Sequence, residues 1–294
     1  MGRSLYRLRI INIIAFRETM GVEIPEEIGQ NALLPTSLPG QYIFGASVIG
    51  PSHIDKGTPC QDACKYAIIP PNLGVIAVAD GLGSASKSDT GAQVAVEAAL
   101  EEGKATITKK KIAVTDLSDV AKEAVAFARK ELEAKATKEQ CSLHDLACTI
   151  IVVIFHEDSV SVAHIGDGAV VAKTEEGLRL ISAPGDSEYV NEVIPLTTND
   201  WEQSLRITPK ISGVECVAVF TDGCQRAALL RTQNGLQPYD RFFEPLFSYA
   251  QELEVLEEGE QDIRDFLASQ KMSEHSEDDK TLVIAALKKE EGLR

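Results

Sequence analysis

Three apolar runs in this chain end in an aspartate followed by a glycine. They are Val75–Ala79 before Asp80-Gly81, Ser161–Ile165 before Gly166-Asp167-Gly168, and Val217–Phe220 before Thr221-Asp222-Gly223. Two further acidic positions, Gln61-Asp62 and Glu277-Asp278-Asp279, stand just ahead of other β-prone runs. A sheet holds the backbone of a strand-end carboxylate. The glycine after it has no side chain, so neighbours approach closely and its carbonyl can reach a cation. Several such ends gathered at one edge would make a cage of oxygens, the ligand set that Mg²⁺ and Mn²⁺ take. Carboxylates packed together repel, so a cation is their natural partner. Asp-Gly is also the commonest hairpin turn, and any one occurrence reads more readily that way. Asp167-Gly168 is the most turn-like, because a strand follows at once. Asp222-Gly223 is less so, because Cys224–Leu230 reads as helical. Three copies together with two acidic clusters favour the metal.

The elements that must position these groups are legible as patterns. Tyr42–Ile49, Lys65–Ile69 and Val75–Ala79 read as strands, the last buried because it is continuously apolar. Cys148–Phe155 and Val160–Ile165 flank a short polar turn and predict an antiparallel hairpin. Ala169–Lys173 and Leu178–Ser182 read as its continuation in a meander; Val214–Phe220 and Thr281–Leu287 complete the strands. Helices are expected at Lys87–Glu102, with Ser88 or Ser86 as cap, and at Leu117–Lys138, whose apolar stripe recurs at helical spacing. Two more are expected near Arg241–Leu256 and Gln261–Ser269. Helices in consecutive pairs and strands in meanders predict an α+β fold of antiparallel sheets with helices packed outside.

Composition narrows the function. The 294 residues suffice for one large domain or two small ones. The formal charge of −16 disfavours a nucleic-acid or anionic-membrane partner, since both need a basic surface. None of the six cysteines stands in a CxxC pair, so zinc is not expected; Cys148 and Cys216 read as buried thiols and the compartment as reducing. No apolar stretch approaches the ~20 residues of a membrane span. Ile10–Phe16 resembles a short secretory segment, but Asn12 interrupts it; a short strand or a non-native extension, with Met20 as an alternative start, fits better. Residues 1–40 are expected to be a partly irregular extension, 41–288 one domain, and 289–294 a tail.

The ordered set Gly-x-x-Cys60-Gln61-Asp62, Asp80-Gly81-Leu82-Gly83, Ala147-Cys148-Thr149, Gly166-Asp167-Gly168, Phe220-Thr221-Asp222-Gly223 and Asp278-Asp279-Lys280-Thr281 resembles the metal-dependent serine/threonine protein phosphatases of type 2C. The resemblance covers about residues 42 to 288; the ordered set carries it, since no single motif is specific. It implies a central sandwich of two antiparallel β-sheets flanked on both outer faces by helix pairs, a four-layer α-β-β-α design. It implies two Mn²⁺ or Mg²⁺ ions at one end of the sandwich, with a third, weaker one. By motif position Asp80 would bridge the two ions, Gly81 would give its carbonyl to one, and Asp222 and Asp278 would hold the other. Asp62 would act through water, and Asp167 would help hold the third. Water bridging the cations would attack phosphorus in line, with no phosphoenzyme. The implied substrate is a phosphorylated protein, and the implied setting a cytoplasmic monomer.

The chain departs from the family pattern in three places. The arginine often found in the first motif is absent from Ser52–Pro59, so His53 or Lys56 would grip phosphate, unless His53 is a surface or turn residue. Leu82 stands where some members carry a histidine, leaving water or His53 to protonate the leaving group. Asp279 stands where asparagine is usual, with consequences for the charge at the metals. Ala183–Gly213, with the sole Trp201, is expected at the rim near the substrate. A metabolite phosphatase and a non-catalytic pseudophosphatase that binds phosphoprotein are the alternatives. Gly81–Ser88 lacks the glycine before Lys87 that a P-loop needs, and Ser84-x-x-Lys87 lacks the other motifs of acyl-transfer enzymes.

Overall fold

Alternation along the strands builds the core. In strand β3 (Leu73–Asp80), Ile76 and Val78 face one way and Val75, Ala77 and Ala79 the other, all buried. Strand β4 (Ile150–His156) divides its apolar residues in the same manner. A strand covered on both faces must be apolar throughout, which is why these runs show no polar alternation. The computed structural model describes residues 41–70, 72–110, 117–184, 193–253 and 255–287. The expectations for Ile10–Phe16, Met20 and the termini lie outside the described residues.

Two five-stranded antiparallel sheets result. The first has the order β1 (Tyr42–Val48), β12 (Lys280–Ala286), β9 (Val214–Phe220), β6 (Ala169–Thr174), β7 (Gly177–Ser182). The second has the order β2 (Asp62–Ile69), β3, β4, β5 (Ser159–Ile165), β8 (Arg206–Ile211). Their facing sides share one core, where Ile76, Val78, Ile151 and Val153 of the second sheet pack with Val170, Val217, Val219 and Val283 of the first. The outer faces differ in chemistry. Helices α2 (Ser88–Lys110) and α3 (Leu117–Glu139) meet the second sheet through alanines such as Ala95, Ala99, Ala121, Ala124 and Ala128. Helices α6 (Asp240–Glu252) and α7 (Leu256–Ala268) cover the first through aromatic rings, Phe243 stacking on Phe247 at 5.7 Å and tilting against Phe220 at 5.8 Å. The four-layer α-β-β-α architecture expected from the resemblance is therefore present.

Several local expectations need correction. The pair β6–β7 forms a hairpin, but it does not extend the β4–β5 meander. The chain crosses to the other sheet at Gly166-Asp167-Gly168, and β8 takes the place beside β5. Strand β2 begins at Asp62, three residues ahead of the expected start at Lys65, and brings Asp62 into register with Asp80. The expected helix over Cys224–Leu230 shrinks to a 3₁₀ turn at Asp222–Cys224, the short helix α5 (Gln225–Ala228) and the hairpin β10 (Leu229–Thr232) with β11 (Gly235–Pro238). Neither proposed cap closes α2: the Ser86 hydroxyl donates to Asp145 at 2.9 Å, and the buried Ser88 hydroxyl has no hydrogen-bond partner. Lys87 pairs with Glu139 at 2.7 Å, a helix-to-helix tie with no bearing on catalysis.

Candidate active site

Strand ends from both sheets meet at one end of the sandwich. Asp62 and Asp80 are directly opposed across the last pair of the β2–β3 ladder. Thr149 grips Asp80 on both sides: its hydroxyl accepts from the Asp80 N–H at 2.9 Å, and its own N–H donates to the Asp80 carbonyl at 2.8 Å. The same threonine lies against Gly166, where a Cβ would fall 2.5 Å from its side chain and where φ is +117°, so glycine is required on two counts. Asp222 opens the turn after β9, and Asp278 ends the loop before β12. Asp167 sits on the crossover, its carbonyl accepting from the Gln225 side chain.

The electrostatics register the convergence. Asp80 is held well above its ordinary pKa by burial first, then by the charges of Asp62, Asp222, Asp167 and Asp278. Burial, with Asp167 and Asp278 behind it, pushes Asp222 up to about 6, while a hydrogen bond with the Asp80 carboxyl pulls the other way. Burial also pushes Asp62 up to about 7, although the Thr221 and Thr281 hydroxyls both donate to its Oδ2 at 2.8 Å. Asp167 is raised mainly by burial. An all-oxygen donor set of crowded, partly desolvated carboxylates fits a hard divalent ion, and does not fit a soft one. Lys280 is buried, and burial lowers its pKa; its Nζ donates to the Asp278 carbonyl at 2.7 Å and orients that residue.

Asp279 has a different task. One oxygen accepts from the Gly50 N–H at 2.7 Å; the other accepts from the Gln61 N–H at 2.6 Å and lies 2.8 Å from His53 Nδ1. His53, Asp278 and Asp279 bring one ligand atom each within 4.8 Å of one another. The bonds from the two backbone N–H groups make Asp279 an anchor for the first motif. Asparagine, with one acceptor oxygen, could not serve all of them. His53 belongs to the short helix α1 (Pro51–Lys56) and is thereby fixed beside Asp278; Lys56 is exposed at the end of that helix. Thus Asp62, Asp80, Gly81, Asp167, Asp222, Asp278 and His53 come together, and Lys56 stands at the periphery. Sequence reasoning assigned no role to Thr149, Thr221, Thr281 and Lys280, although each lies inside a quoted motif. A cleft of about 630 Å³ opens beside Asp167, Asp222 and Asp278.

The family described as protein phosphatase 2C matches residues 49–268. The chain is 35% identical over 250 residues to serine/threonine-protein phosphatase 3 of Escherichia coli (strain K12), covering 82% of this chain and 96% of that one. The catalytic domain of serine/threonine protein phosphatase PstP, solved in complex with two manganese ions, superposes with a TM-score of 0.56 at 15% identity, over 84% of this chain and 98% of that one. The serine/threonine phosphatase Stp1 from Staphylococcus aureus gives 0.53 at 13% identity, over 89% and 99%. The chain belongs to the protein phosphatase 2C family and is a metal-dependent serine/threonine phosphatase.

Proposed function

We propose that the chain hydrolyses phosphoserine and phosphothreonine monoesters in proteins, with Asp80, the Gly81 carbonyl, Asp222 and Asp278 holding two Mn²⁺ or Mg²⁺ ions and Asp167 helping to hold a third, weaker one. The observation that carries this reading is the mutual electrostatic influence of Asp80, Asp222, Asp167 and Asp278, which four separate segments deliver to one place. Bound there, the ions would lower the pKa of a coordinated water and offset phosphoryl charge. Asp62, with Oδ2 fixed by two threonines, would act through a metal-bound water. His53, hydrogen-bonded through Nδ1 to Asp279, or water would protonate the leaving serine or threonine oxygen. His53 and Lys56 are the candidates that the first motif offers for contact with a phosphoryl group. The domain bounded at about 41 and 288 is the catalytic unit. Six free cysteines support a reducing, cytoplasmic setting, and the charge of −16 opposes a nucleic-acid or anionic-membrane partner; we take the protein to act as a monomer. Among the described residues no helix is long and apolar enough to cross a membrane.

The test is hydrolysis of p-nitrophenyl phosphate and of phosphothreonine peptides with Mn²⁺, with Mg²⁺ and with chelator. Turnover is expected only with metal, and Asp80→Asn is expected to lower it at least ~100-fold, since even outer-sphere changes at metal sites cost up to that much. Undiminished turnover in chelator would refute the reading. A panel of phosphorylated metabolites outrunning the peptides would move the substrate class.

A further inference from the structure

The first motif offers no arginine, so beyond the ions that the carboxylates would hold, the grip on a phosphate dianion falls to another basic side chain at the cleft. We infer that Arg226, on the turn after Asp222, is the side chain that grips the substrate phosphoryl group. This rests on the phosphatase reading above. Arg226 lines the cleft of about 630 Å³ together with Asp167, Asp222 and Asp278, and among the described residues that line it no other is a lysine or arginine. It is exposed, and among the described residues it makes no hydrogen bond or ion pair. Its backbone is nonetheless fixed. The Gln225 side chain is tied to the Asp167 carbonyl, and Cys224, Ala227 and Ala228 are buried, while Arg226 is the most exposed residue of the turn. A guanidinium fork there can take two phosphoryl oxygens at once, which an ammonium cannot. The alternatives in α1 are less suited: His53 has Nδ1 committed to Asp279, and Lys56 does not line the cleft.

The test uses the full chain with saturating Mn²⁺ and compares wild type, Arg226→Ala, Arg226→Lys, Lys56→Ala and, as a charge-loss comparison, Arg231→Ala on the exposed β10–β11 hairpin. KM and kcat are read on a phosphothreonine peptide, and inhibition by inorganic phosphate is read beside them. Arg226→Ala is expected to raise both KM and the phosphate inhibition constant about tenfold, the loss of a charge-assisted contact, with Arg226→Lys partway. The Mn²⁺ midpoint should stay where it is, and Arg231→Ala should behave as wild type. A wild-type phosphate constant in Arg226→Ala, an equal loss in Arg231→Ala, or the loss appearing in Lys56→Ala instead overturns the inference. Calorimetry of phosphate binding to the Mn²⁺-loaded protein reads Arg226 independently of turnover. Absence of metal-dependent hydrolysis in the wild type would instead count against the underlying phosphatase reading.

Discussion

At the scale of single residues, the acids of the site are balanced between proton and cation. Asp62 and Asp222, at 3.8 in their ordinary state, stand at about 7 and about 6 in the folded protein. The folded chain therefore binds more protons than the unfolded one across that window. Stability of the cation-free protein should fall as pH rises from about 4 to about 7, because the slope follows the excess of protons bound by the native state. Melting curves in chelator are expected to show this decline, with a smaller decline in Asp80→Asn. Mn²⁺ should remove it, since a ligand that binds only the native state stabilises it. A flat profile in chelator would mean the carboxylates do not press on one another. Asp279 makes a separate residue-scale case. Asp279→Ala leaves two backbone N–H groups and His53 without their acceptor. An unfolding titration is expected to show a loss of about 1–3 kcal/mol, and the peptide assay a lower kcat from a displaced His53.

Elements set how closely these residues can approach. The turn at Asp222–Cys224 runs so near the loop before β12 that a Cβ on Gly223 would fall 1.9 Å from the Asp279 carbonyl oxygen. That contact is backbone to backbone, with no flexible end to give way. Gly223→Ala should therefore push Asp222 and Asp278 apart. Calorimetric Mn²⁺ affinity is expected to drop about tenfold or more, the scale of a disturbed support for metal ligands, while far-UV dichroism stays native. Unchanged affinity would show that the two loops move independently. The crossover at Gly166–Gly168 works in the same way, with Thr149 beneath it and the Arg206 guanidinium donating to the Gly166 carbonyl at 2.6 Å.

At the scale of the molecule, the two sheets are joined by a shared core and stabilised by unlike outer layers. The aromatic layer is the less forgiving. Phe243 is fully buried among Phe220, Phe242 and Phe247. Phe243→Ala is expected to cost about 3–5 kcal/mol in a denaturant titration, with the Mn²⁺-dependent activity of the remaining folded fraction retained, because α6 lies outside the metal end. A chain beginning at Gln41 is expected to fold and to hydrolyse p-nitrophenyl phosphate as the full chain does, since the first sheet starts at Tyr42 and Gln41 already bonds to the Glu157 carbonyl. Loss of the fold on that truncation would assign residues 1–40 a structural part.

By itself, the sequence determined which residues are apolar on both faces and which acids follow them. That sufficed for the strands β3, β4, β5 and β9 and for the two long helices, because burial and helical periodicity are local signals. Tertiary structure decided the rest. It decided which sheet β6 and β7 join, since an antiparallel hairpin carries no mark of its next neighbour. It decided that Asp278 faces the cleft while Asp279, one residue on, braces the first motif, because adjacent side chains differ only in which way the backbone turns. It also placed Arg226 beside the carboxylates, a cation hidden in the sequence because the turn holding it reads as ordinary helix.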